Sequence, residues 1–141
     1  LYTVEYFGLM RDRLRAGGVA CAWIPMAAID TSELRILMRG FGRVFPHATL
    51  WFMNHTHTNF GILIGTPEPL RVDYRRLIDG FTDAGVARSL RLVGMTDPMQ
   101  FVHCLHLDED GYARFCGEGP LHTDDRPVLE FTSPMSFYRY H

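Results

Sequence analysis

Two strand-sized apolar runs, residues 48–53 and 60–64, are joined only by the polar stretch Asn54-His55-Thr56-His57-Thr58-Asn59. A parallel crossover needs about a dozen residues, so if these runs pair they do so antiparallel, as a hairpin. Upstream, residues 19–24 form a third apolar run closed by Pro25. It lacks polar alternation, which suits a strand buried on both faces of a parallel sheet. Between the third run and the hairpin, Asp30-Thr31-Ser32-Glu33 offers N-cap residues, and Leu34, Leu37, Met38, Phe41 and Phe45 then share one helical face up to Pro46. A helix opens the chain, with Leu1, Val4, Phe7, Met10 and Leu14 at helical spacing and Ala16-Gly17-Gly18 as its stop. The order helix, strand, helix, hairpin is the finish of an open α/β sheet.

The pattern changes after Thr66-Pro67-Glu68-Pro69. Residues 72–81 and 83–92 read as helices, and 97–106 as a third with Asp97 as N-cap and Pro98 at its first position. The last third carries little strand signal. Asp108-Glu109-Asp110 reads as an acidic turn, Gly117-Glu118-Gly119-Pro120 as a loop, and residues 121–141 as an irregular tail containing Thr123-Asp124-Asp125-Arg126-Pro127. Residues 1–66 thus read as the finishing strands and helices of a sheet, and 67–141 as a helical extension and tail of the same globular unit.

Composition narrows the function classes. The chain has 141 residues with net charge -2, and its 14 basic residues are all arginine, spread along the sequence. Neither a nucleic-acid stripe nor a polybasic membrane patch is present. Cys21, Cys104 and Cys116 are odd in number and lack CxxC spacing, so they read as reduced, mostly buried thiols of a cytoplasmic protein. No apolar run reaches the roughly 20 residues of a membrane helix. The sequence opens directly in a helical pattern without an initiating methionine, which reads as a piece of a longer protein.

Five segments, in order, carry a resemblance: Leu1-Tyr2-Thr3 with Glu5-Tyr6-Phe7; Leu14-Arg15-Ala16-Gly17-Gly18-Val19; Trp23-Ile24-Pro25; Phe45-Pro46-His47; and Thr123-Asp124-Asp125-Arg126-Pro127-Val128-Leu129-Glu130-Phe131. Together they resemble the carboxyl-terminal part of spermidine synthase-like proteins, closest to the large bacterial members fused to a multi-span membrane region. The resemblance implies a Rossmann-like, methyltransferase-type fold: this chain would be the C-terminal half of its sheet, ending in the antiparallel hairpin, followed by helices and an irregular tail. It also implies, for the full-length parent, transfer of an aminopropyl group from the co-substrate decarboxylated S-adenosylmethionine to a small amine. The family's catalytic aspartate lies just before the Leu-Tyr-Thr segment, and its glycine-rich nucleoside turn further upstream. The chain alone is therefore expected to bind no cofactor and to be inactive. Gly17-Gly18 is no substitute, because it follows a helix and precedes a strand, the reverse of a nucleoside loop. The alternative is a noncatalytic domain that keeps the fold for partner binding or self-association. As a fragment, the chain is expected to expose apolar surface where the missing strands belong, and so to form a homodimer or borrow a strand over its open edge.

What remains for this chain is an acceptor wall made of Trp23, Asn54, His55, His57, Asp124 and Asp125. Trp23 can pack against a methylene chain, although a core tryptophan is the preferred reading. Ala22 stands where family members commonly carry glutamine, which removes an amide from the acceptor side. Residues 54–59 are either acceptor contacts or an exposed polar turn. His55 and His57 would point to one face if on a strand, yet without a third ligand they do not make a metal site. His103 and His106 read as a surface pair on one helix face. Asp124-Asp125-Arg126 is either an acidic rim for a cationic amine or, preferably, a structural clip in which Asp accepts backbone N–H groups and Arg126 pairs with a carboxylate.

Overall fold

The computed structural model describes residues 2–26, 29–52 and 60–139. Four strands form one sheet in the order β1-β3-β2-β4: β1 is Ala20–Pro25, β2 is His47–Phe52, β3 is Phe60–Thr66 and β4 is Leu105–Leu107. β3 pairs antiparallel with both β1 and β2, and β4 pairs antiparallel with β2. The hairpin expected from the two closely spaced runs is present, and the third run lies in the same sheet.

Packing follows from one row of small residues. Ala20, Gly65 and Ala48 are direct cross-strand partners on β1, β3 and β2. Onto this flat strip settle the rings of Phe41 and Phe45, 4.7 Å apart, at the end of helix α2 (Thr31–Val44). A Cβ on Gly65 would come within 2.5 Å of the Phe45 ring, so the close approach needs glycine. The expected apolar face of α2 is buried in full: Leu34, Leu37, Met38, Phe41 and Phe45. Its N-terminus, where Asp30-Thr31-Ser32-Glu33 offered N-cap residues, carries a capping box: Asp30 Oδ1 accepts the Glu33 N–H at 2.9 Å, and Glu33 Oε2 accepts the Asp30 N–H at 3.0 Å. Helix α1 (Val4–Asp12) adds Phe7, fully buried edge-on against Phe41 at 5.1 Å.

Four expectations are corrected. The first strand is not sandwiched in a parallel sheet; its residues alternate buried and exposed, with Ala20, Ala22 and Ile24 turned to the core and Cys21 and Trp23 turned away. The apolar run misleads because its outward positions carry an aromatic and a thiol rather than charges. The helix expected at 97–106 stops early: α3 (Tyr74–Thr82) and α4 (Ala84–Leu92) form as read, but α5 is only Pro98–Val102. The chain then extends as β4 because the edge of β2 offers it unpaired backbone groups. Finally, the acidic turn opens a helix, α6 (Glu109–Cys116), in which Asp108 caps the Gly111 N–H at 2.8 Å, and the tail contains α7 (Val128–Arg139).

Helix α6 packs against α2 and the start of β2. The Tyr112 hydroxyl donates to the Met38 carbonyl at 2.7 Å, with its ring against Gly42, where a Cβ would sit 3.0 Å away. His47 Nδ1 and Glu109 Oε2 are 2.8 Å apart and tie the start of β2 to α6. The opposite face of the sheet is covered more sparsely. Helices α3, α4 and α5 contain no fully buried residue, and their region meets the sheet through a small cluster of Trp51, Met95 and Cys104 with Phe81, Leu90 and Phe101. No described helix is long and apolar enough to cross a membrane.

Candidate functional site

Trp23, a sequence-proposed site residue, lines two cavities. It is 51% exposed, which corrects its preferred reading as a core side chain. Its alternation with Ala22 and Ile24 places it on the face of β1 away from α2, and its ring stacks on Phe60 with centroids 4.5 Å apart. Register makes this a diagonal pair, since Trp23 is opposite Ile62 and Phe60 opposite Pro25.

On one side of Trp23 lies a hollow of about 150 Å³, lined by Tyr2, Tyr6, Met10, Cys21, Ala22 and Trp23. Tyr2 closes it. Its backbone has φ 67°, the left-handed region that a bulky residue rarely adopts, and its hydroxyl donates to the Trp23 carbonyl at 2.7 Å. Burial, and then the neighbouring Tyr6 hydroxyl, raise the Tyr2 phenol above its ordinary range, so it stays a neutral donor. Burial likewise pushes the Cys21 thiol up, so it is no ready nucleophile at neutral pH. The lining contains no carboxylate. Ala22 itself packs into the core beneath, so a longer polar side chain there would compete with α1 and α2 for space.

On the other side of Trp23 a larger cavity, about 300 Å³, lies between the sheet and the helical extension. A third, of about 230 Å³, lies between α2 and α6 and includes Arg39, Glu109, Tyr112 and Cys116. Arg39 is committed there as a strut, donating from Nε to the Cys116 carbonyl at 2.9 Å and from its terminal nitrogen to the Pro120 carbonyl at 2.8 Å.

Of the remaining proposed site residues, the two that are described, Asp124 and Asp125, line neither hollow beside Trp23. Asn54, His55 and His57 lie outside the described residues. Asp124 and Asp125 are exposed on the segment joining α6 to α7. That segment is a clip, but of different parts from those expected. Thr123 and Arg126 exchange backbone hydrogen bonds, Thr123 Oγ1 accepts the Arg126 N–H at 3.1 Å, and Glu5 Oε2 accepts the Asp124 N–H at 3.0 Å. The acceptors are thus Thr123 and Glu5, while the side chains of Asp124 and Asp125 face solvent. His103 and His106 do not share a helix: the first caps α5 and the second is in β4. Among the described residues, no three His, Cys, Asp or Glu side chains converge to hold a metal ion.

Sequence reasoning passed over Tyr2 and Tyr6 as site residues. The available signal was Tyr-x-x-x-Tyr at helical spacing beside the strand end, which reads first as core packing. No family model, curated protein or solved structure matches the chain.

Proposed function

We propose that this chain is the carboxyl-terminal, acceptor-side part of a spermidine synthase-like protein, whose full-length form transfers an aminopropyl group from decarboxylated S-adenosylmethionine to a small amine. The observation that carries the reading is the strand order. β1 and β2 run the same way, are joined through α2, and have β3 inserted antiparallel between them. That arrangement suits the closing end of a Rossmann-like, methyltransferase-type sheet. Trp23 supports the acceptor role, since it stands exposed near the carboxyl end of β1, where open α/β sheets bind ligands.

In such a transfer the neutral amine nitrogen attacks a carbon beside the sulfonium. The N–C bond forms, the C–S bond breaks with its electron pair going to sulfur, and the amine's proton passes to a base. Trp23, Tyr2 and Tyr6 would position the methylene chain of the amine against flat rings. Neither hollow beside Trp23 contains a carboxylate to take the proton. The 141-residue chain is therefore expected to give no turnover by itself. Calorimetry with decarboxylated S-adenosylmethionine, run beside an assay for released methylthioadenosine, tests this. The expected results are no binding at millimolar donor, no product, and only weak, salt-sensitive attraction of diamines to Asp124 and Asp125. Turnover by the chain that disappears in Asp125→Asn would place the chemistry in the tail and overturn the reading.

A second reading, a noncatalytic interaction or self-association domain, is favoured by one observation. β1 ends the sheet, and no strand covers its outer edge among the described residues, while Trp23, Phe60 and Ile62 lie exposed on the same face. The transferase reading leaves the same edge open, so light scattering tests the second reading by itself. A stable dimer that Trp23→Glu dissociates supports the interaction domain, and a monomer at high concentration opposes it.

A further inference from the structure

The 300 Å³ cavity between the sheet and the helical extension is built unlike the hollow at Tyr2 and unlike an ordinary layer contact. Its floor is buried, made by Trp51, Met95 and Cys104, whereas Trp23, Phe60 and Ile62 at its mouth are exposed. Every lining side chain is apolar or a thiol. Of the three polar hydrogens on these side chains, two are used: the Trp51 indole N–H donates to Thr49 Oγ1 at 2.8 Å, and the Cys104 thiol donates to the Gln100 carbonyl at 3.3 Å; the third, the Trp23 indole N–H, belongs to the exposed mouth. Two ring pairs line it, Trp23 with Phe60 at 4.5 Å and Trp51 with Phe101 at 5.3 Å.

We propose that this cavity is a binding site for an uncharged, planar aromatic molecule of two or three rings. Its volume falls at the lower end of the ~300–1,000 Å³ typical of small-molecule pockets. Water is a poor occupant of the floor, because a stable buried water needs polar partners and the described floor side chains have none to spare. A charged ligand seated on the floor would lose its hydration without gaining a hydrogen bond there. A flat aromatic molecule instead gains offset or edge-on contact with both ring pairs and fills the gap that the sparsely packed helices leave. A second copy of the chain could cover the mouth but would have to insert a side chain to reach the buried floor. The inference is independent of the transferase reading, since it requires neither the donor nucleoside nor an amine.

The chain carries its own reporter, because its two tryptophans, Trp23 and Trp51, both line the cavity. The probe is N-phenyl-1-naphthylamine, uncharged at neutral pH, titrated into the 141-residue chain while tryptophan quenching and probe emission are recorded. The expected result is saturation at one probe per chain, weakened at least about tenfold by Ile62→Arg, which sets an unpaired charge at the mouth. Phe60→Ser removes one stacking wall at a half-exposed position and serves if the arginine variant loses its native circular dichroism. Failure to saturate, saturation unchanged in a natively folded variant, or one probe per two chains with a doubled mass in light scattering would each overturn the proposal.

Discussion

His122 Nδ1 accepts the backbone N–H of Leu129 at 3.3 Å, in the first turn of α7, while the His122 carbonyl accepts the N–H of Val4 at 3.0 Å, in the first turn of α1. One residue thus satisfies an orphan donor at the start of each helix, and it is only 1% exposed. The sequence resemblance at Thr123 to Phe131 begins just beyond this bolt. His122→Leu fills the site with a side chain of similar size but leaves the partly buried Leu129 N–H without its acceptor, which costs about 1 kcal/mol. Urea unfolding should show that loss, while His122→Asn, whose carbonyl can replace Nδ1, should recover part of it.

Gly65 and Gly80 make a controlled pair. A Cβ at Gly65 would collide with Phe41 and Phe45, whereas one at Gly80, inside α3, meets nothing within 4 Å. Gly65→Ala should destabilise by about 2–3 kcal/mol through overpacking against α2. The same substitution at Gly80 should stabilise by about 0.5–1 kcal/mol through helix propensity. Thermal unfolding of the two variants should therefore move in opposite directions from the parent.

The contrast between these glycines also shows how far the sequence could be read. The apolar runs, the six-residue connection and the Asp30/Glu33 box act locally, so the hairpin and α2 with its buried face were legible from spacing alone. Leu105–Leu107 was not, because so short an edge strand exists by pairing with β2 rather than by its own pattern. The acidic stretch at Asp108 was equally ambiguous: its carboxylates suit a turn, and only Tyr112 reaching Met38 across the fold commits it to a helix. At the site, Trp23 was legible as a candidate but not as exposed. Its burial depends on what packs beyond the sheet face, and the helices there pack sparsely.

Alkaline pH should weaken the α2/α6 contact. Burial raises the Tyr112 hydroxyl well above 10.0, helped by neighbouring Cys116, and raises the Cys116 thiol from 9.0 to about 11 against the opposing pull of Arg39 and Arg35. Both groups hold their protons more tightly in the folded chain than in the unfolded one. Their contribution is therefore complete below pH 9 and is lost as pH rises toward and through 11. Melting temperature should fall across that window, and less steeply in Cys116→Ala. Tyr112→Phe should cost about 1 kcal/mol at neutral pH for the lost bond to Met38 and should likewise flatten the alkaline limb.

The three cysteines should separate by reactivity. Cys21 is exposed on the outward face of β1, while Cys104 and Cys116 are buried and all three are unpaired. With an aromatic disulfide reagent at pH 8, the folded chain should release the equivalent of one thiol quickly and the denatured chain all three. Burial raises Cys21 above 9.0, so even its reaction should be slow at pH 7 and accelerate as the pH passes that value, because the thiolate is the attacking species. Cys21→Ser should abolish the fast phase and leave the buried pair unchanged. The modified Cys21 would also project a bulky group into the hollow between Tyr2 and Trp23, so emission from Trp23 should change in step with labelling, whereas fast labelling without that change would show that the hollow does not form around Cys21 in solution.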